Sequence, residues 1–212
     1  MAPEFLFNGP EGAPLTIVLG HGAGAPMDSP FMVAFAEGLA ERGHRVARFE
    51  FPYMVKRRET GTKRPPDRAP VLLETWRDAI GALGGPENLI IGGKSMGGRI
   101  ASMITGELET AGTPVRGLAC LGYPFHAPGR PENVRTEHLA ALQTPSLFLQ
   151  GTRDTLGSRQ DVAGYTLSPA ITLHWLEDGD HGFKPRVKSG LTEDGNWTEA
   201  IEALAAFADG LS

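Results

Sequence analysis

The chain has 212 residues, 41% of them hydrophobic, a formal charge of −5 and a single cysteine, Cys120. The acidic balance argues against general nucleic-acid binding, and one cysteine excludes an internal disulfide framework and a cysteine-based zinc site. No stretch approaches the roughly 20 apolar residues of a membrane helix, and the opening MAPEFLFNGPEG lacks the basic-then-apolar order of a secretory signal. A cytoplasmic setting with neither nucleic acid nor membrane as partner is expected.

Strand-like and helix-like patterns then alternate along the chain. Leu15 to Leu19 is a short β-rich run. Ser29-Pro30 resembles a cap followed by proline at the first helical position, Met32, Phe35, Ala36 and Leu39 share an apolar face, and Gly43 ends it. Arg45 to Phe51 is the next strand candidate. Leu72, Leu73, Trp76, Ile80 and Leu83 recur at helical spacing until Gly84-Gly85-Pro86 stops them.

Asn88 to Ile91 suits a buried central strand. Ile100, Met103, Ile104 and Leu108 mark a helix and Val115 to Leu121 a strand. A short helix over Glu137 to Leu142 precedes a strand over Ser146 to Gln150. Ile171 to Leu176 is the last strand, and Trp197, Ile201, Leu204 and Ala208 define a closing amphipathic helix. Six strands separated by helices, with a seventh possible from Glu4 to Phe7, predict one α/β domain over residues 1–212. Its mostly parallel sheet is expected to be covered on both faces.

Between Tyr53 and Arg68 stand six basic and two acidic residues, mixed with Gly, Pro and Thr. The run reads as a long loop. One interpretation is a solvated surface segment. The other is an anion-facing loop, because it leaves the sheet at the end where open α/β sheets place their sites.

Gly93-Lys94-Ser95-Met96-Gly97 fits G-x-S-x-G, directly after a buried-strand candidate and directly before a helix. That strand–turn–helix context is what the motif requires. A nucleophile at the tip of so tight a turn needs strained dihedrals, and its neighbours pass close to other elements, which favours glycine at 93 and 97. A Walker loop does not fit, because Lys94 precedes the serine without the required spacing, and a dinucleotide fingerprint fails on spacing too.

A serine hydroxyl needs a base. Of six histidines, His181 lies in EDGDHGF after the last strand, on the side where the site is expected. The imidazole in turn needs a carboxylate to hold its other nitrogen. Asp154, in GTRDTLG, emerges at the same sheet end, whereas Asp178 and Asp180 are close to His181 in sequence and read as solvated turn acids. For an oxyanion hole the Met96 backbone N–H is one donor, and Ala23 or Gly22 in the glycine-rich loop 20–24 is the other. Tyr123, Phe125 and His126 follow a strand toward the same end and either line a pocket or merely pack.

With LGHGAG at 19–24, RPPDR at 64–68, GGKSMGGR at 92–99, LGYPFH at 121–126, LQGTRD at 149–154 and DGDHGFK at 178–184, nearly the whole chain resembles the α/β-hydrolase superfamily. It is similar to the small, lidless members akin to dienelactone hydrolases, and most of all to the acetyltransferase-complex-subunit and testis-expressed-protein type of hydrolase-like group. The resemblance implies Ser95 as nucleophile, Asp154 as acid, His181 as base, and Met96 with Ala23 as oxyanion donors. It implies no full cap domain, no cofactor and no metal. Serine stands where dienelactone hydrolases commonly carry cysteine, so dienelactone chemistry is not implied.

The expected activity is cleavage of a small-molecule ester or thioester through an acyl-enzyme. Arg57, Arg58 and Arg64 of the basic run are expected to favour an anionic acyl or leaving group. A small peptidase is the enzymatic alternative. A non-catalytic binding or complex-subunit protein on this fold, with a protein partner, is the alternative from another class.

Overall fold

The computed structural model describes residues 2–212. Its elements in chain order begin with strands β1 (Phe5–Asn8) and β2 (Thr16–Gly20), helix α1 (Pro30–Glu41), strand β3 (Arg45–Phe49), and helices α2 (Pro52–Thr60) and α3 (Ala69–Ala82). Strand β4 (Leu89–Lys94), helix α4 (Met96–Thr110) and strand β5 (Gly117–Leu121) follow. A hairpin of β6 (His126–Ala127) and β7 (Arg130–Val134) leads to a 3₁₀ turn, Glu137–Ala141. The chain continues through β8 (Ser146–Gly151), α5 (Arg159–Val162), β9 (Ile171–Leu176), a second 3₁₀ turn and α6 (Glu193–Asp209).

Seven strands form one sheet in the order β1-β3-β2-β4-β5-β8-β9. Every pair is parallel except β1 with β3, where Phe5 opposes Phe49 and Asn8 opposes Val46. Side chains alternate across the sheet, so Ile17 and Leu19 pack with Phe35, Leu39 and Leu204 on one face. Val18 joins Trp76, Ile100 and Phe148 on the other. Trp76 is fully buried, its ring edge-on to Phe49 at 4.8 Å between centroids, a contact worth about 1 kcal/mol beyond the area it buries. Among the described residues no helix is long and apolar enough to cross a membrane.

From β2 the chain moves to β3 on one side; from β4 it moves to β5, β8 and β9 on the other. The loops leaving β2 and β4 therefore diverge and open a crevice at the carboxyl ends of the strands.

The basic run is not one long loop. Residues 52–60 are helical, and only 61–68 are irregular. Pro52 at the first helical position has no N–H to satisfy, Gly61 in the left-handed region (φ 64) closes the helix, and buried Tyr53 and Met54 anchor it. Its Lys, Arg and Met residues are good helix formers, whereas the breakers that suggested a loop all lie at or beyond Gly61. Two smaller differences concern ends and hairpins. Ser29 makes no side-chain cap bond, so Pro30 alone marks the start of α1. The β6–β7 hairpin carries no alternating apolar pattern, because every residue of β7 is exposed.

Candidate active site

Ser95 sits between β4 and α4 at φ 50 and ψ −112, a strained conformation for a residue with a Cβ. The turn is this tight because two neighbours lack side chains. A Cβ on Gly93 (φ 146) would lie 2.0 Å from the Gly20 carbonyl oxygen, and one on Gly97 would lie 2.2 Å from the same atom. The strained geometry leaves Met96 as the first helical residue of α4, so its N–H has no intrahelical acceptor.

The Ser95 Oγ lies 2.9 Å from His181 Nε2, and His181 Nδ1 lies 2.8 Å from Asp154 Oδ2. A carboxylate only accepts, so Nδ1 carries the proton and Nε2 accepts from the serine hydroxyl. Asp154 is fully buried. Its Oδ2 also receives the Gln150 amide at 2.9 Å, and its Oδ1 receives the Leu156 N–H at 2.8 Å. This arrangement can move the hydroxyl proton to the imidazole and hold the resulting imidazolium against a buried anion.

Asp178 and Asp180 are not solvated turn acids; they build the loop that carries His181. Asp178 is buried beneath Arg186 and Arg153. Its hydrogen bonds to the Arg186 guanidinium hold its carboxyl down at about 2. Asp180 Oδ1 accepts from the N–H groups of Gly182 at 2.8 Å and Lys184 at 3.0 Å.

Loop 21–24 faces Ser95 from the end of β2. Phe51 N–H donates to His21 Nε2 at 3.1 Å, so the other ring nitrogen, Nδ1, carries the proton and donates to the Gly22 carbonyl at 2.7 Å. Burial lowers the His21 pKa and keeps the ring neutral. The Tyr53 hydroxyl donates to Ala23 O at 3.0 Å and lies 3.3 Å from Gly22 O, while Arg57 Nη1 donates to Gly24 O at 3.1 Å. A trans peptide holds its C=O and N–H in opposite directions. Tying the Gly22 carbonyl to His21 and Tyr53 therefore turns the Ala23 N–H away from them.

Lys94, the variable residue before Ser95, turns beneath the histidine loop. Its ammonium donates to the His181 carbonyl and lies 5.1 Å and 5.2 Å from the ring centroids of Phe31 and Phe183. Burial pulls its pKa down to about 8, against the opposing pull of Asp154 and Asp180.

Residues 13–209 match the family described as alpha/beta hydrolase domain. The chain belongs to that family. Solved structures share the α/β-hydrolase fold at low identity. An alpha-beta serine hydrolase homologue from Coxiella burnetii is 16% identical over 95% of this chain and 89% of that one, with a TM-score of 0.69. A monoacylglycerol lipase from Paleococcus ferrophilus is 17% identical over the whole of both chains at 0.70. Est1E from Butyrivibrio proteoclasticus, with ferulic acid bound, is 14% identical over 98% of this chain and 95% of that one, also at 0.70.

In this α/β-hydrolase a cleft of about 300 Å³ opens beside Ser95, with Ala23, Met96, Pro124 and Leu156 in its walls. The aromatic and basic residues expected to contact substrate do not line it. Tyr123 and Phe125 are fully buried, stacked edge-on at 4.9 Å, and His126 is buried with Nδ1 bonded to Ala127. Arg58 is ion-paired with Glu50 and Asp28, Arg57 braces Gly24, and Arg64 is exposed on the 61–68 segment. That segment gives the cleft Pro66 and Asp67 instead, and two arginines from elsewhere, Arg99 and Arg135, complete it. Arg99 was within reach of sequence reasoning, four residues after Ser95 on a helix; Arg135 has no local signal. Among the described residues no group of three or more His, Cys, Asp or Glu side chains is arranged to hold a metal ion.

Proposed function

We propose that this α/β-hydrolase cleaves carboxylic esters or thioesters through an acyl-Ser95 intermediate. The observation that carries the reading is the continuous hydrogen-bonded chain Ser95–His181–Asp154 opening on the cleft. Ser95 Oγ attacks the carbonyl carbon while His181 Nε2 takes its proton. The tetrahedral oxyanion is held by the N–H groups of Met96 and Ala23, the latter favoured over Gly22 by the anchoring of the Gly22 carbonyl. His181 returns the proton to the departing oxygen or sulfur. Water, deprotonated by the same imidazole, then cleaves the acyl-serine and restores the hydroxyl. The lipase and Est1E among the structural neighbours support a hydrolytic role for this scaffold.

The test is a screen of short acyl esters and acyl thioesters, run beside mass analysis of the protein after fluorophosphonate treatment. The expected adduct is on Ser95, and Ser95→Ala is expected to lower kcat by roughly 10⁴ or more. Turnover that survives Ser95→Ala, or an adduct elsewhere, would overturn the assignment.

A further inference from the structure

Arg99 and Arg135 reach the cleft from separate elements. Arg99 lies one helical turn beyond Ser95 on α4. Arg135 directly follows β7, where its N–H donates to the Phe125 carbonyl at 2.8 Å and fixes the end of the hairpin. Both line the cleft together with Ser95 and Met96.

Neither guanidinium has a carboxylate within ion-pair distance among the described residues, and Arg99 Nε is buried with no hydrogen-bond partner. A permanently charged donor left in this state is costly, and other arginines offset it: Arg58 meets Glu50 and Asp28, Arg186 meets Asp178, and Arg48, whose Nε is likewise unpartnered, gives its two terminal nitrogens to Met27 O and Asn8 Oδ1. The two cleft arginines also oppose each other. Burial first, and then the charge of Arg99, lowers the Arg135 pKa. His138 adds no third charge near neutrality, because burial and Arg99 push it down to about 4.

Among the described residues, Asp67 is the one acid in the cleft wall. Its Oδ2 accepts the Tyr53 N–H at 2.9 Å, in the first turn of α2, so the helix terminus already answers much of its charge. The lining charges are thus two cations and one committed anion, next to an activated serine. Leu72, Ile100 and Pro128 supply apolar wall, and the volume suits a short substrate.

We propose that Arg99 and Arg135 form an anion subsite, selecting short esters or thioesters that carry a carboxylate or phosphate near the scissile carbonyl. The proposal rests on acyl transfer at Ser95 and moves the source of anion preference from the α2 arginines to the cleft. Arginine suits the role because its planar fork binds carboxylate or phosphate through two parallel hydrogen bonds.

The test compares matched esters. Nitrophenyl butyrate against nitrophenyl hydrogen glutarate places the anion on the acyl side; phenyl acetate against carboxyphenyl acetate places it on the leaving group. In at least one pair the anionic member is expected to have a kcat/KM about tenfold or more above its neutral mate at low salt. Arg99→Gln and Arg135→Gln should each lower that ratio about tenfold, with partial recovery in Arg99→Lys and Arg135→Lys. Asp67→Asn should raise it. The ratio is measured within one protein, so a loss of folded enzyme does not change it, and the responding pair tells which side bears the anion.

A readout independent of turnover is calorimetric titration of the Ser95→Ala protein with monomethyl glutarate and with phenyl phosphate. Binding of either, weakened about tenfold or more by Arg99→Gln, supports the subsite even if no ester is cleaved, an outcome that would fail only the hydrolase reading. A selectivity ratio indifferent to both arginines, or no binding of either anion, overturns the subsite while leaving Ser95 labelling and neutral-ester turnover to stand.

Discussion

Gln150 and Asp154 are joined at the base of the site: the Gln150 amide nitrogen donates to Asp154 Oδ2 at 2.9 Å, on the same oxygen that His181 reaches. Both residues are fully buried. The same nitrogen lies 3.2 Å from Tyr123 O and 3.1 Å from Gly157 O, and Gln150 Oε1 accepts the Tyr123 N–H at 2.7 Å. One side chain thus ties the end of β8 to the strand-end loop after β5 and to the turn that carries Asp154. It fixes the direction of the carboxylate from a position outside the cleft lining.

Gln150→Leu should therefore destabilise the fold by about 2–4 kcal/mol, because it leaves the Tyr123 N–H and the Gly157 carbonyl buried without partners, while the Tyr123 carbonyl keeps the Phe125 N–H. Among the molecules that remain folded, kcat should fall at least about tenfold with KM little changed, since His181 loses orientation before any substrate contact is lost. Urea unfolding and active-site-titrated kinetics measure the two effects separately. A stable variant of normal kcat would show that Asp154 is held adequately by Leu156 and His181 alone.

Backbone strain at Ser95 predicts an inverted ranking. At an ordinary helical or extended position, glycine is less stable than alanine by roughly 0.5–1 kcal/mol. At φ 50 and ψ −112 the alanine keeps the strain, whereas glycine relieves about 1–3 kcal/mol of it. Ser95→Gly should melt above Ser95→Ala, although both lack the hydroxyl. If Ser95→Ala is the more stable of the two, the turn is not the strained element described here.

What was legible in the sequence follows from how local the physics is. The parallel sheet and its helices could be read because each strand and helix face has its own periodicity, as in Ile17 and Leu19 against Val18. Ser95 was readable because the steric demands on Gly93 and Gly97 leave a local mark. Asp154 and His181 were reached through their placement after strands that the topology brings to one edge. Gln150 left no such mark: it looks like any strand-end amide until β5 and β8 pair. Arg135 was invisible as well, since β7, exposed at every residue and so without an apolar pattern, carries it to the cleft. The basic run does leave β3 at the end of the sheet where the cleft lies, but helix α2, which the charge pattern does not reveal, directs Arg57 and Arg58 to structural partners.

Tyr53 offers a test of the loop opposite Ser95. Its hydroxyl is the tie between α2 and the carbonyls of Gly22 and Ala23, and burial raises its pKa, so it stays a donor across the working range. Tyr53→Phe keeps the ring packed against His21, at 5.7 Å between centroids, and removes only the hydrogen bond. With the Gly22 carbonyl left to His21 alone, the Ala23 N–H proposed for the oxyanion loses part of its preorganisation. The expected result is a fall in kcat of roughly tenfold, below the 10²–10³ for removing an oxyanion donor outright, with stability lowered by only about 1 kcal/mol. A tenfold change confined to KM would place Tyr53 in ground-state binding instead.

Lys94 links the enclosure of one charge to the pH dependence of stability. Burial draws its pKa from the usual 10.5 to about 8, with Asp154 and Asp180 pulling the other way. Below about pH 8 the lysine is protonated in both folded and unfolded chains, and it adds no slope. Between about 8 and 10.5 the unfolded chain still holds a proton that the folded chain has released. Stability then rises with pH from this group, by at most about 1.4 kcal/mol per pH unit. Lys94→Met retains an apolar stem between Phe31 and Phe183 but has no proton to release. The stability of the parent minus that of Lys94→Met should therefore be flat up to about pH 8 and increase from there toward pH 10.5. Taking the difference cancels the titration of groups shared by both proteins. Urea unfolding of the two proteins at intervals across this range measures it, and a difference that stays flat or shrinks above pH 8 would mean that the ammonium is solvated rather than enclosed beneath the His181 loop.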